Sequence, residues 1–159
     1  MRSSCSSTST SRHMTTARAR PRRPPFYNCT PQTSAFILGL TASMEEEYAK
    51  GNYVIAGGDF NQTFPGGLDK YPIKNDDLWT PGMLDDSMLP DGWHFAYDTS
   101  VPTCRLDNQP YDAESEATQH YVIDGFILSP NVELTSVQTQ DDGFRFSDHN
   151  PVLLSIRLK

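Results

Sequence analysis

The chain has 159 residues, and its 13 Lys and Arg against 20 Asp and Glu give a formal charge of −7. That length predicts one domain with enough chain to bury a core, and the composition excludes a membrane protein, a coiled coil, a collagen and a disulfide scaffold. The charge is unevenly divided: residues 1–34 hold six arginines and no acid, leaving seven bases against all 20 acids, a net of −13, over residues 35–159. An acidic body argues against holding nucleic acid on a broad basic face, because such binding neutralises phosphates with Lys and Arg. A phosphate substrate would need local help here, most simply from a divalent metal.

Residues 1–34 are dominated by Ser, Thr, Arg and Pro, with no apolar periodicity to offset chain entropy. Disorder is the expected state. A transit peptide, or a stretch foreign to the domain, would explain its origin. Cys5, Cys29 and Cys104 form no C-x-x-C pair and are odd in number, which reads as reduced thiols without a structural zinc. No secretory signal or membrane span is read, so the cytoplasm stands as the default compartment.

Ile37, Leu40, Met44 and Tyr48 recur at helical spacing, with Thr33 or Ser34 as N-cap and Gly51 at the C′ position. Glu45, Glu46 and Glu47 read as a solvated face with Lys50. A short buried strand is expected over Asn52–Ala56, ended by a tight turn at Gly57-Gly58. Residues 62–92, rich in Pro, Gly and Asp, read as a long loop with a short helical turn, and loops of that size in compact domains usually serve function. Trp93–Tyr97 alternates weakly, His120–Ser129 is the clearest strand, Leu134–Thr139 is another, and Asn150–Leu158 closes the chain. One helix among such strands predicts a layered α/β or α+β domain without an internal repeat.

Three polar clusters stand at the ends of these apolar runs. In Gly57-Gly58-Asp59-Phe60-Asn61, a carboxylate and an amide two apart can share a cleft if Phe60 turns into the core. An Asx-turn capping a loop is the alternative. Asp124, inside Tyr121–Leu128, needs a partner if it is buried, whether for chemistry or to bond backbone amides. Ser147-Asp148-His149-Asn150-Pro151-Val152 sets an oxygen ligand for a hard metal beside a side chain that titrates near neutral pH, although a surface turn could carry the same residues. Together these groups suit metal-assisted hydrolysis of a phosphate ester.

Gly58-Asp59-Phe60-Asn61, Ile123-Asp124-Gly125-Phe126 and Ser147-Asp148-His149-Asn150-Pro151-Val152 closely resemble, in order, the last three motifs of the endonuclease/exonuclease/phosphatase superfamily, the DNase I-like group. The resemblance covers residues 36–159 and implies a partial four-layered α-β-β-α sandwich whose amino-terminal half is missing. It implies that His149 is the general base for the attacking water, that Asp124 orients and charge-stabilises it, and that Asp59 aligns the nucleophile or assists the leaving oxygen. Asn61 would bind the phosphate, and Asp148 would help hold Mg²⁺ or Mn²⁺. The substrate would be a phosphodiester or phosphomonoester, with nucleic acid, inositol phosphate and phospholipid headgroup undecided.

The family's metal-binding Glu has no counterpart before Gly51: Asn28 lies in the basic segment, and Glu45–Glu47 lie on the expected helix. The expectation is therefore a truncated, weakly active or inactive chain with exposed sheet edges that invite self-association. The alternative is a catalytically dead fragment serving as an interaction module, or a gene-calling product. A nucleic-acid-binding role for the arginine segment is a third option and predicts steep salt dependence. His120 is expected to pack at its strand end, His94 to be structural or exposed, and Arg105 to form a salt bridge or contact a phosphate. Asp76-Asp77, Asp85-Asp86 and Asp141-Asp142 read as solvated turns. The glycosylation match Asn61-Gln62-Thr63 is discounted because a glycan would block the phosphate site.

Overall fold

The computed structural model describes residues 31–75 and 77–159. The expectations on Cys5, His13, Asn28, Cys29 and Asp76 lie outside the described residues, as does most of the basic segment. Helix α1 (Pro31–Ala49) begins with proline, whose fixed φ and missing N–H suit a first helical position. It therefore starts before Thr33 and Ser34, which lie inside it rather than at its cap. The C-terminal end follows the sequence reading. Gly51 has φ +86°, its N–H reaches the Tyr48 carbonyl at 2.9 Å, and the Asn52 N–H reaches that of Glu47 at 3.3 Å. This is the paired bonding of a Schellman cap, which needs glycine's left-handed freedom. Glu45, Glu46 and Glu47 are exposed, and Glu47 pairs with Lys50.

After the helix come β1 (Ile55–Asp59), β2 (Gln62–Thr63), α2 (Gly67–Lys70), β3 (Gly82–Met83) and β4 (His94–Ala96). They are followed by β5 (Cys104–Arg105), β6 (His120–Tyr121), β7 (Asp124–Leu128), β8 (Val132–Thr139) and β9 (Val152–Leu158). A three-stranded antiparallel sheet has the order β1-β7-β4, while β8 and β9 form a long antiparallel hairpin. The pairs β2-β3 and β5-β6 are only two residues long, one parallel and one antiparallel. The chain is thus a mixed α/β protein with small, mainly antiparallel sheets and few helices. No described helix is long and apolar enough to cross a membrane.

The layers follow from which side chains are apolar. Ile37 and Met44 of α1 are buried with Phe60, Phe64, Trp93, Phe95 and Ile127, and Leu40 and Tyr48 pack against them. The helical spacing read from the sequence is therefore the buried stripe. On the opposite side, Ala96, Leu128 and Val132 are buried under Leu134, Val137, Leu154 and Ile156 of the hairpin. Alternation along β7 sends Ile127 to the helix side and Leu128 to the hairpin side, because successive strand side chains point to opposite faces.

Two expectations are corrected. The buried strand expected over Asn52–Ala56 is instead mostly exposed, starts at Ile55 and runs through Gly57 and Gly58 to Asp59, with Gly57 opposite Phe126 and Gly58 opposite Gly125. These glycines do not make the turn. A Cβ at Gly57 would overlap the Phe126 ring, and one at Gly125 would stand 2.6 Å from Phe64 Cζ. Close packing of aromatic rings is therefore what requires glycine at 57 and 125, whereas Gly58 meets no neighbour and is set apart by its φ of +151°. The reversal comes later, at Asn61, with φ +51°. The second correction concerns His120–Ser129, which is two strands. At its middle, the Val122 and Ile123 carbonyls accept from Phe64 N and Phe60 N, while the Ile123 N–H bonds the Thr103 hydroxyl. Those partners lie outside the sheet and interrupt its ladder.

Candidate functional site

The end of β7 that carries Asp124 differs from its Leu128 end. β4 pairs only with Phe126, Ile127 and Leu128, so at Asp124 the neighbouring position in the sheet is free. Thr103 occupies it. Its hydroxyl oxygen accepts from Ile123 N at 2.9 Å and Asp124 N at 3.1 Å. On the other side, Asp59 stands opposite Asp124 in the β1-β7 register.

The Ser147–Val152 segment is zipped onto the same place by backbone bonds. Arg105 N donates to the Asp148 carbonyl at 2.9 Å, and Asn150 N donates to the Thr103 carbonyl at 2.8 Å. The buried Asn150 amide adds a bond to the Pro102 carbonyl at 3.0 Å and accepts from Asp142 N at 3.2 Å. His149 is thereby held with its Nδ1 2.9 Å from Asp124 Oδ2. The side chains are 31% and 16% exposed respectively, so the pair is largely desolvated with the imidazole on the outer side.

Burial pushes the Asp124 carboxyl above its ordinary range, and the Asp59 charge adds to this. The Thr103 and His149 hydrogen bonds oppose it. The same local acidity acts on the buried, free Cys104. Its thiol is pushed up to about 12, first by burial and then by the charges of Asp124, Asp148 and Asp59. It is an inert thiol packed with Tyr121 and Ile123.

Of the five residues singled out from the sequence, His149 and Asp124 are in direct contact. Asp59 and Asn61 form a second linked pair, in which Asp59 Oδ1 accepts from Asn61 N at 2.7 Å and Oδ2 from Asn61 Nδ2 at 3.2 Å. That is the Asx-turn alternative; Phe60 is buried and Asn61 lines a cavity with Asp148 and His149, but Asp59 is not among the residues lining it. Among the described residues, the one hydrogen bond to the Asp148 carboxylate comes from the Ser147 hydroxyl, at 3.4 Å.

Among the described residues, no group of three or more His, Cys, Asp or Glu stands close enough to hold a metal ion. The residues therefore do not build a closed metal cage.

Other expectations find their places. His120 stacks on Phe144 at 5.5 Å, and burial, with Lys74 and Arg105 nearby, pulls its pKa down. Arg105 pairs with Asp107 at 3.0 Å. Asp85 caps a short 3₁₀ turn through Ser87 N, and Asp141 accepts from Gly143 N, as solvated turns do. Thr103 and Trp79 escaped the sequence reading. A lone threonine carries no motif, whereas an aromatic residue in the polar 62–92 loop was a usable signal. No family model, no curated protein and no solved structure matches this chain.

Proposed function

We propose that the chain carries a divalent-metal-dependent phosphoesterase site in which water activated by His149 attacks a phosphodiester or phosphomonoester. The observation that supports this most is the 2.9 Å contact between His149 Nδ1 and Asp124 Oδ2, with His149 lining a cavity. An ionised carboxylate only accepts hydrogen bonds, so with Asp124 ionised the imidazole carries its proton on Nδ1. Nε2 is then the lone-pair nitrogen that can take a proton from water. Asp124 fixes that tautomer and offsets the charge of the imidazolium that forms.

Asn61, whose amide lies beside Asp59, would donate to a phosphate oxygen. Asp59 would align the nucleophile or assist the leaving oxygen. Asp148 would contribute to holding Mg²⁺ or Mn²⁺, which would supply neutralisation of phosphoryl charge when bound. On this reading, residues 35–159 form the carboxy-terminal part of a DNase I-like α-β-β-α sandwich, with the helix, sheet and hairpin as its layers.

A second reading, an interaction module without activity, is favoured by one observation: the described residues supply no group of three metal ligands. Turnover of bis-(p-nitrophenyl) phosphate with Mg²⁺, Mn²⁺ and EDTA, beside His149→Ala, decides between them. EDTA-sensitive hydrolysis that falls about 10²- to 10⁴-fold in the variant is expected for a general base. Folded chain with no turnover, or turnover indifferent to His149, supports the module instead.

A further inference from the structure

We infer that the cavity beside His149 is a subsite for one neutral, planar, hydrogen-bonding ring of nucleobase type, stacked on Trp79 and recognised at its edge by Arg105 and Asp107. The inference rests on the phosphoesterase reading, since the ring would belong to the same substrate. Size comes first. The cavity is about 220 Å³ and open to solvent, with room for a single ring system.

Its aromatic wall is fixed in place. Trp79 is 42% exposed, yet its backbone carbonyl accepts from the Tyr121 hydroxyl at 2.7 Å, and the two rings meet edge to face at 5.1 Å. The other tryptophan, Trp93, is buried against Tyr48 in the core. An exposed aromatic surface held rigidly at a cavity is suited to stacking a ring, at little entropic cost on binding.

The edge chemistry is equally particular. The Arg105 side chain is only 11% exposed and its guanidinium lies 4.7 Å from the centre of the Tyr111 ring. Of its five N–H donors, one is engaged by a described residue, Nη1 with Asp107 Oδ1 at 3.0 Å, and Nε is buried without a partner. A half-used donor fork beside an acceptor matches a heterocycle that presents an acceptor and a donor together. Asp107 and Asp148 also line the cavity, so a polyanionic ring would meet two carboxylates against one guanidinium. A neutral ring meets no such penalty.

Calorimetric titration of the full chain with adenosine and, separately, with myo-inositol tests this, using wild type, Trp79→Ala and Trp79→Phe. The expected result is adenosine binding that weakens about 5- to 150-fold in Trp79→Ala, the range base–aromatic stacking covers by alanine substitution. Trp79→Phe, which keeps a ring, should retain most of the affinity, and myo-inositol should give no heat. Absence of adenosine binding by folded wild type, equal binding of myo-inositol, or wild-type affinity in Trp79→Ala would each overturn the subsite. No phosphoester is present in these titrations. Adenosine binding by a chain that hydrolyses nothing would sink only the phosphoesterase reading, and turnover without adenosine binding would sink only the subsite.

Discussion

The two ends of β7, Asp124 and Leu128, are four residues apart in the chain and belong to different kinds of chemistry. At the Leu128 end, β1 and β4 pair on both sides, and Ile127 and Leu128 are fully buried between the helix and the hairpin. At the Asp124 end, β4 has stopped, a threonine hydroxyl takes over its hydrogen bonds, and a carboxylate is largely enclosed beside an imidazole. The first end is held mainly by packing, with the buried Ser129 hydroxyl satisfied by Val54 N and Asn131. The second depends on polar satisfaction, because each donor or acceptor left unpaired there costs free energy. A site can sit beside a core when a strand loses one neighbour before it ends.

The comparison is sharpened most by Phe64, which packs over Gly125 and against Phe60, Phe95 and Tyr97. Phe64→Ala should lower stability by about 3–5 kcal/mol in urea unfolding, the usual range for a buried phenylalanine. A loss under 1 kcal/mol would mean that the packed end is not the structural anchor described. Thr103→Val comes next. It keeps the shape but leaves the Ile123 and Asp124 N–H groups without their acceptor, at a cost of about 1–3 kcal/mol. Thr103→Ser should restore most of that loss together with any hydrolytic activity, and a neutral Thr103→Val would show that the hydroxyl is dispensable.

A smaller effect is expected in the pH dependence of Asp124. Its carboxyl is raised in the folded chain, so the protonated form is favoured there relative to the unfolded chain. The stability this contributes is fully present below the unfolded pKa, roughly 3.9, and is lost as pH rises through the raised folded value. Wild type measured against Asp124→Asn should therefore gain stability on acidification through that window and lose it toward neutrality, while any turnover moves the other way. A stability difference independent of pH would contradict the burial assigned to this carboxylate. On the hairpin, the solvent-exposed Arg157–Glu133 pair should matter least. Glu133→Ala should leave thermal unfolding unchanged within error, since exposed ion pairs are screened and entropically costly to hold.

Much of the molecule was legible as sequence because it depends on neighbours in the chain. The Ile37–Met44 stripe, the glycine cap at Gly51 and the strands through Leu128, Leu134 and Leu154 follow from periodicity and backbone freedom. The three polar clusters were visible for the same reason, each standing next to an apolar run. What the sequence could not show was which groups meet across long separations. It did not reveal that Gly57 and Gly125 are small to admit aromatic rings, or that Thr103 interrupts the strand between Tyr121 and Asp124. It could not show that Arg105 and Trp79 share a cavity with His149. These contacts join residues tens of positions apart, and their identities carry no local propensity. Only the packing of β1, β5 and the Ser147–Val152 segment around one strand end decides them.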